Sequence, residues 1–451
     1  MACSDNAMPA PAAMPRPLTT NAPPVPFSAR YMGWLILAVL GMLAFSREWL
    51  GQERPFYNSA LGNLALLASL GFAVYFLVFL RPWAGRQARM ARLAPFLLLY
   101  GLLTLTILFE RAWWVPGDLP TNKEMLRSYL LILCAPIWGW VGFWYAARPA
   151  HARWLLERLA ACGAIGAAVS FILFHLGFNG ITSPGAADWP MRLIFLFSYF
   201  WYLYRWLHAD RMNWWALAGF LASSMEILLM LHKPIIACAA VGMVALLFLM
   251  VRSERHTGLR AVRRIVVLSL AGAVLMVAVN VATNGLITDT VEHFVYERVF
   301  HLSFRPKLSD LNSELMLDLA SGGRFYVWKE SLSMAAASPW LGSGFGRKLE
   351  AQTVAETDLS VHNLYLEFLL GVGICGLAIL LINIWIWFAA ILRHLRHLHP
   401  DTRAGIITIA CYAIALLAYN MGGIIIWFIG PTYVAVFLAG IALRLAQRDT
   451  S

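Results

Sequence analysis

The sequence predicts an all-α, polytopic membrane protein with about twelve transmembrane helices and one long helical loop outside the membrane. Three observations carry this. The chain is 60% hydrophobic and only 13% charged, too little polar surface for a soluble fold. Apolar runs long enough to cross a bilayer recur along it. Lys and Arg concentrate in alternate loops, as the positive-inside rule requires. Nineteen Trp and fifteen Tyr suit the aromatic belts at lipid headgroups.

Residues 1–30 are rich in Pro and Ala and lack an apolar core. They are expected to form a disordered cytoplasmic tail and not a cleavable signal peptide. Nine transmembrane helices are expected between residues 31 and 284, at about 31–46, 58–80, 93–112, 125–147, 155–177, 191–208, 213–231, 234–251 and 264–284. Three more follow within 362–446, at about 363–392, 405–427 and 430–446, and residues 447–451 form a second short tail. The pairs 213–251 and 405–446 read as helical hairpins broken at His-Lys-Pro and Gly-Pro, because Pro suits the first turn of a new helix. Cys134, Cys162, Cys238, Cys375 and Cys411 fall inside spans and Cys3 in the tail. No disulfide framework or thiolate metal site is expected.

One set of loops holds Arg81, Arg86, Arg89, Arg92, Arg148, Arg153, Arg158, Arg205 and Arg211. The same set continues with Arg252, Arg255, Arg260, Arg263, Arg264, Arg393, Arg396 and Arg403. These loops are assigned to the cytoplasm, and both termini with them. The cluster of His394, His397 and His399 lies among these arginines and reads as a basic membrane-flanking segment.

Residues 285–361 remain as one long extracytoplasmic loop, and long loops of this kind tend to carry function. Three amphipathic helices are expected in it, roofing a cavity at the membrane surface. The third, in "SGGRFYVWKESLSMAAASPW", would place Phe325, Trp328 and Leu332 on one face and end at Pro339. Gly322 and Gly323 precede it, and Arg324 sits at its positive end, where a cation is unfavourable. A bound anion would explain that arginine; a solvated surface side chain is the alternative.

His362 opens the stretch "HNLYLEFLLGVGICG". Counting along a continuous helix, Leu366, Leu369, Gly373 and Gly376 share its face. Such a small-residue seam marks close helix packing, so the histidine is expected to face the interior. A helix N-terminus disfavours imidazolium and leaves a neutral ring, as a general base requires. Asn363 accompanies it, and Asp358, four residues earlier, is either a partner that orients the ring or a solvated loop carboxylate.

His-Asn followed nine residues later by Gly-x-x-Gly resembles the signature of the O-antigen ligase and polymerase superfamily, bacterial inner-membrane glycosyltransferases. "SGGRFYVWKESLSMAAASPWLGSGFG" resembles the Arg–Trp–Pro–Gly-x-Gly block that precedes it there. The span layout and the late loop also match, and a GT-C-like fold is implied. The resemblance implies transfer of a glycan from undecaprenyl pyrophosphate to a hydroxyl on the periplasmic side; for a ligase the acceptor is lipid A–core. It puts the family's essential histidine on His362 and its loop arginine on Arg324. A third basic residue, usually Arg in a Ser-Arg motif, falls on Lys233 in "LHKP", a departure from the pattern.

Arg324, Lys233 and Arg192 are thus the expected pyrophosphate-binding groups, with Asn363, Asp358 and Tyr365 in support. Arg127, Arg298, Arg305, Lys307 and Arg347 are further basic residues expected near that face, as surface charges or acceptor contacts. Glu226, inside a span, is expected to pair with a cation in the bundle. A departing pyrophosphate suits cationic stabilisation, and a single displacement would invert the anomeric configuration. The chain contains no Asp-x-Asp, and no metal, cofactor or nucleic-acid partner is expected. Three alternatives stand beside the ligase. An O-antigen polymerase or a protein O-oligosaccharyltransferase would share the chemistry, whereas a lipid-linked sugar transporter should show repeated halves and midplane polar groups.

Overall fold

The computed structural model describes residues 26–45, 71–72, 74–75, 78, 101, 135–175, 189–229, 233–282, 324–342, 363–393, 395–421 and 429–448. Every regular element among them is helical: α1 Phe27–Phe45, a segment over 135–145, α2 Pro149–His175, α3 Trp189–His208, α4 Trp214–Leu229 and α5 Lys233–Ser253. α6 Arg255–Ala282, α7 Phe325–Ala337, α8 Leu364–Leu392, α9 Pro400–Tyr419 and α10 Ile429–Arg448 follow. Within α2, α5, α8 and α9 lie four segments long and apolar enough to cross a membrane. Of the spans expected at 58–80 and 93–112, residues 71–72, 74–75, 78 and 101 are described, all helical, whereas the loop helices before Arg324 and residues 1–25 fall outside the described residues. The disordered tail expected over 1–30 is corrected at its end, where α1 already takes in Phe27–Arg30.

Where expectation and structure overlap, the helices agree in order and differ at their ends. The helix expected at 405–427 runs instead from Pro400 to Tyr419, with Pro400 in its first turn and Asn420 as its C-cap. Its polar start looked like loop, yet Thr402 and Arg403 are buried there. The helix expected at 264–284 begins at Arg255, because its cationic first turns pair with neighbouring elements.

α3 is the central post, packing against α2, α4 and α9. Leu193–Phe197, Phe200 and Leu203 are buried along it, and Phe197 meets Tyr412 of α9 edge-on at 6.0 Å. Lipid offers no hydrophobic drive between helices, so such contacts act through dispersion and shape. The closest approach is between 135–145 and α10. A methyl on Gly440 would stand 1.9 Å from the Gly139 carbonyl oxygen, and one on Gly142 would stand 2.1 Å from that of Phe437. Small residues set that crossing.

The arginine-bearing ends gather at one end of the bundle. Arg153 of α2 pairs with Glu157 at 3.1 Å and with Asp401 of α9 at 2.6 Å, and Arg205 of α3 reaches Glu157 at 2.8 Å. Arg403 pairs with Glu254 beyond α5, and Arg260 of α6 with Asp210. Arg264 donates to the carbonyls of Trp206, Leu207 and Ala209, and Arg396 to that of Arg252. These contacts put the starts of α2, α6 and α9 beside the ends of α3 and α5. The opposite end therefore collects the starts of α3, α5 and α8 and the end of α9.

Arg403 is the most buried member of this network, and it also donates to the Leu398 carbonyl at 2.8 Å. Arg403→Ala would leave Glu254 and that carbonyl short of a donor and cost about 3 kcal/mol. Unfolding in detergent should reveal the loss, whereas Arg260→Ala at its exposed pair should cost less than about 1 kcal/mol.

Candidate functional site

The N-terminal turn of α8 is tied down completely. Asn363, in an extended conformation, is its N-cap, and its Oδ1 accepts from the N–H groups of Tyr365 at 3.0 Å and Leu366 at 3.1 Å. The Leu364 N–H donates to the Asn420 carbonyl at 2.9 Å, and Glu367 N–H closes the first helical turn on the Asn363 carbonyl. Two side chains add to this. Asn363 Nδ2 donates to the Met421 carbonyl at 3.0 Å, and the Tyr365 hydroxyl to that of Leu417 at 2.9 Å. A helix end normally leaves several backbone groups without intrahelical partners. Here the Asn363 side chain takes two of the orphan N–H groups and the Asn420 carbonyl a third, while the Asn363 and Tyr365 side chains serve two further carbonyls at the end of α9. His362 and Asp358 lie outside the described residues, so Asn363 is the site's nearest described neighbour along the chain to His362.

α8 is not one helix. Gly373 has φ +64° and ψ −169°, which breaks it in two. The glycine seam expected to pack helix against helix is corrected by this. A continuous helix is needed for Leu366, Leu369, Gly373 and Gly376 to share one face, and the chain reverses hand at Gly373. What approaches there is the turn after α7. The Ile374 N–H donates to the Pro339 carbonyl at 2.8 Å and the Cys375 N–H to that of Trp340 at 3.2 Å. The approach is reciprocal. A methyl on Gly373 would stand 2.3 Å from Trp340 backbone atoms, and one on Gly342, itself at φ +77°, would stand 2.5 Å from the Gly371 carbonyl carbon. Only glycine supplies both the positive φ and the clearance.

α7 is held against α8 by this turn. Its buried stripe is Val327, Ser331 and Ala335, with Trp328 and Met334 packed beside Leu366, Leu369 and Leu370. The face expected from Phe325, Trp328 and Leu332 is thus rotated, and Leu332 is exposed. Small side chains win the inward positions because α7 lies close on α8, and the Ser331 hydroxyl is absorbed by the Val327 carbonyl at 2.7 Å.

Arg324 is the N-cap residue of α7, with no side-chain capping bond. It is half-buried, and burial holds its guanidinium below the usual arginine range. It nevertheless stays charged at any physiological pH. Tyr419, the last residue of α9, acts on it electrostatically. Trp328 in the first turn of α7 packs near Leu366 in the first turn of α8, the start of α8 bonds to the end of α9, and α9 packs on α5, which Lys233 opens. The starts of α7, α8 and α5 therefore lie at the same end of the bundle as the end of α9.

Of the expected site residues, Arg324, Asn363 and Tyr365 are thus brought to one end of the bundle. The backbone positions of Lys233 and Arg192 begin α5 and α3 at that same end, and their side chains lie outside the described residues. So do Arg127, Arg298, Arg305, Lys307 and Arg347. Glu226, in the last turn of α4, is buried and accepts from the Ser170 hydroxyl at 2.9 Å. Tyr419 was not among the sequence candidates. The signal for it was a Tyr-Asn pair at a span end, which also fits an ordinary aromatic belt.

Fold and site together define a helical membrane protein that holds a fixed cation among helix ends at the bundle edge. A guanidinium so placed is suited to phosphate oxygens, which it can engage two at a time. Residues 217–381 match the family model described as O-antigen ligase. It takes in Lys233, Arg324, Asp358, His362, Asn363 and Tyr365, and leaves Arg192 and Tyr419 outside. No curated protein matches the chain.

Gly373→Ala should lower both the thermal midpoint and any activity of the purified protein. Gly376→Ala would bring its methyl to 2.2 Å from Val372 Cγ2 and 2.5 Å from its Cβ, and should be the milder of the two because Gly376 is not at positive φ and no backbone atom of another segment is among its nearest neighbours. An Ala held at this φ and ψ, a region essentially confined to glycine, costs about 1–3 kcal/mol, before the Trp340 backbone is displaced. Equal tolerance of both substitutions would show that the break in α8 is dispensable.

Proposed function

We propose that this chain is an inner-membrane glycosyltransferase that ligates O-antigen polysaccharide from undecaprenyl pyrophosphate onto lipid A–core. The observation that carries this reading is Arg324, a half-buried cation at the N-cap of α7, within the segment that matches the O-antigen ligase family. That family match supports a ligase- or polymerase-type membrane glycosyltransferase, and the apolar helices support the membrane setting. The described basic ends lie together, opposite Arg324. With the positive-inside rule this supports an active site on the periplasmic face and both termini in the cytoplasm.

In the proposed reaction His362 takes the proton of the acceptor hydroxyl as its oxygen attacks the anomeric carbon. The bond from that carbon to the pyrophosphate oxygen breaks on the opposite side, so the configuration inverts. The pyrophosphate leaves with the bonding electrons, and Arg324 stabilises the charge it gains, with Lys233 and Arg192 as further donors. Asn363 holds the helix start next to His362, Tyr365 fastens it to α9, and Asp358 orients the imidazole. The step calls for no metal and no cofactor.

The test is transfer by purified protein from undecaprenyl-pyrophosphate-linked glycan to lipid A–core, in EDTA. His362→Ala should reduce the rate about 10²- to 10⁴-fold, the usual worth of a general base. Arg324→Ala should cost about 10²-fold or more. Glycan lengthening on the lipid carrier, or transfer only to a protein hydroxyl, would make the acceptor a growing glycan or a protein. Full activity of His362→Ala would remove the base from this scheme.

A further inference from the structure

The start of α6 carries more positive charge than the protein itself answers. Its residues 255–264 include four arginines and His256 and no carboxylate. Two of these arginines are engaged by the protein. Arg260 pairs with Asp210, and Arg264 donates to the carbonyls of Trp206, Leu207 and Ala209. Glu254, the carboxylate just before the helix, is held by Arg403. Arg255 and Arg263 are exposed and have no partner among the described residues. A helix start is the positive end of the helix dipole, so cations there are unfavourable unless an anion offsets them.

These two arginines share a face with apolar side chains. Arg255, Leu259, Arg263, Val266, Leu270 and Val274 fall within an arc of about 100° on the helix, and all are exposed. The other side is turned inward, with Ala261 buried and Gly258 against the Val251 backbone. Past Arg264 the helix holds no charged residue, so the arginines stand where an apolar stripe meets the basic edge of the bundle. Trp214 and Trp215 follow closely on the segment that Arg260 and Arg264 grip, and they are 70% and 86% exposed. Exposed indoles of this kind mark headgroup depth. We propose that this face of α6 binds an anionic phospholipid of the leaflet on the basic side. Arg255 and Arg263, about 12 Å apart along the axis, engage the headgroup phosphate between them, and an acyl chain lies along Val266, Leu270 and Val274. A second copy docked symmetrically here would set the same arginines against each other. A phosphate answers both. The site is separate from glycan transfer and needs only that α6 crosses the membrane.

The test is native mass spectrometry of the full chain in neutral detergent, titrated with dioleoylphosphatidylglycerol or dioleoylphosphatidylcholine. Each arginine at a membrane surface is worth about fivefold toward an anionic lipid, so wild type should bind its first phosphatidylglycerol about 25-fold more tightly than phosphatidylcholine. Arg255→Gln/Arg263→Gln should abolish that preference and leave phosphatidylcholine binding within about twofold. Arg148→Gln/Arg158→Gln removes two exposed cations at the same end of the bundle, on and beside α2. It should keep the preference. Both double variants alter exposed side chains and should unfold with wild type, which thermal unfolding checks. Equal losses in the two double variants would mean that overall charge attracts the lipid, and a wild type without preference would mean that no site exists. Either result overturns the proposal. Wild-type dimers that Leu270→Ala/Val274→Ala dissociates would give the face to a second copy and overturn it as well.

Discussion

A helix that breaks within an apolar span must find partners for the backbone groups it releases, because lipid supplies none. That constraint organises the functional end of this protein. At Gly373 the chain leaves helical geometry, and the freed N–H groups of Ile374 and Cys375 are taken by the carbonyls of Pro339 and Trp340. The turn bearing those carbonyls therefore has to enter α8, and it brings α7 with it. Arg324, at the far end of α7, is placed as a consequence. The cation is remote from the break in sequence, yet its position is governed by two backbone hydrogen bonds and two glycines.

The opposite end of the bundle works by different physics. There, long cationic side chains lie at the polar edge of the fold and meet carboxylates and helix-end carbonyls from five elements. Exposed pairs of this kind contribute little individually. The pairing of Arg403 with Glu254, sheltered among helix ends, is the exception. Their joint effect is to bring the starts and ends of α2, α3, α5, α6 and α9 into register. One end is thus held by charge and the other by backbone hydrogen bonding and close packing, and between them runs the aromatic core of α3 and α9.

The candidate site sits where the second kind of restraint is densest. Asn363 commits three of its side-chain hydrogen bonds to backbone groups: two N–H donors on Oδ1 and the Met421 carbonyl on Nδ2. The Tyr365 hydroxyl donates to the Leu417 carbonyl. Both side chains thus act as scaffolding in the His-Asn stretch. At Arg324 burial works against the charge, which favours an anion beside it.

Much of this was legible in the sequence, and the reasons are local. Hydropathy marks the helices because a span must be apolar along its whole length, and arginine placement marks their ends. Arg324 could be singled out because a cation at a helix N-terminus is unfavourable on its own terms. Other features depended on contacts between distant segments. Nothing local distinguishes a glycine that packs helices from one that breaks a helix, so Gly373 was read as a seam until the Trp340 backbone was seen against it. Which side of α7 turns to α8 is of the same kind, since only the close approach of the neighbouring helix selects Ser331 and Ala335 for it. The sequence by itself determined the helical class, the grouping of basic ends and the residue types of the site. The tertiary structure alone decided which backbone carbonyls answer which N–H groups, because hydrogen bonding between segments far apart in the chain leaves no periodic trace in either one.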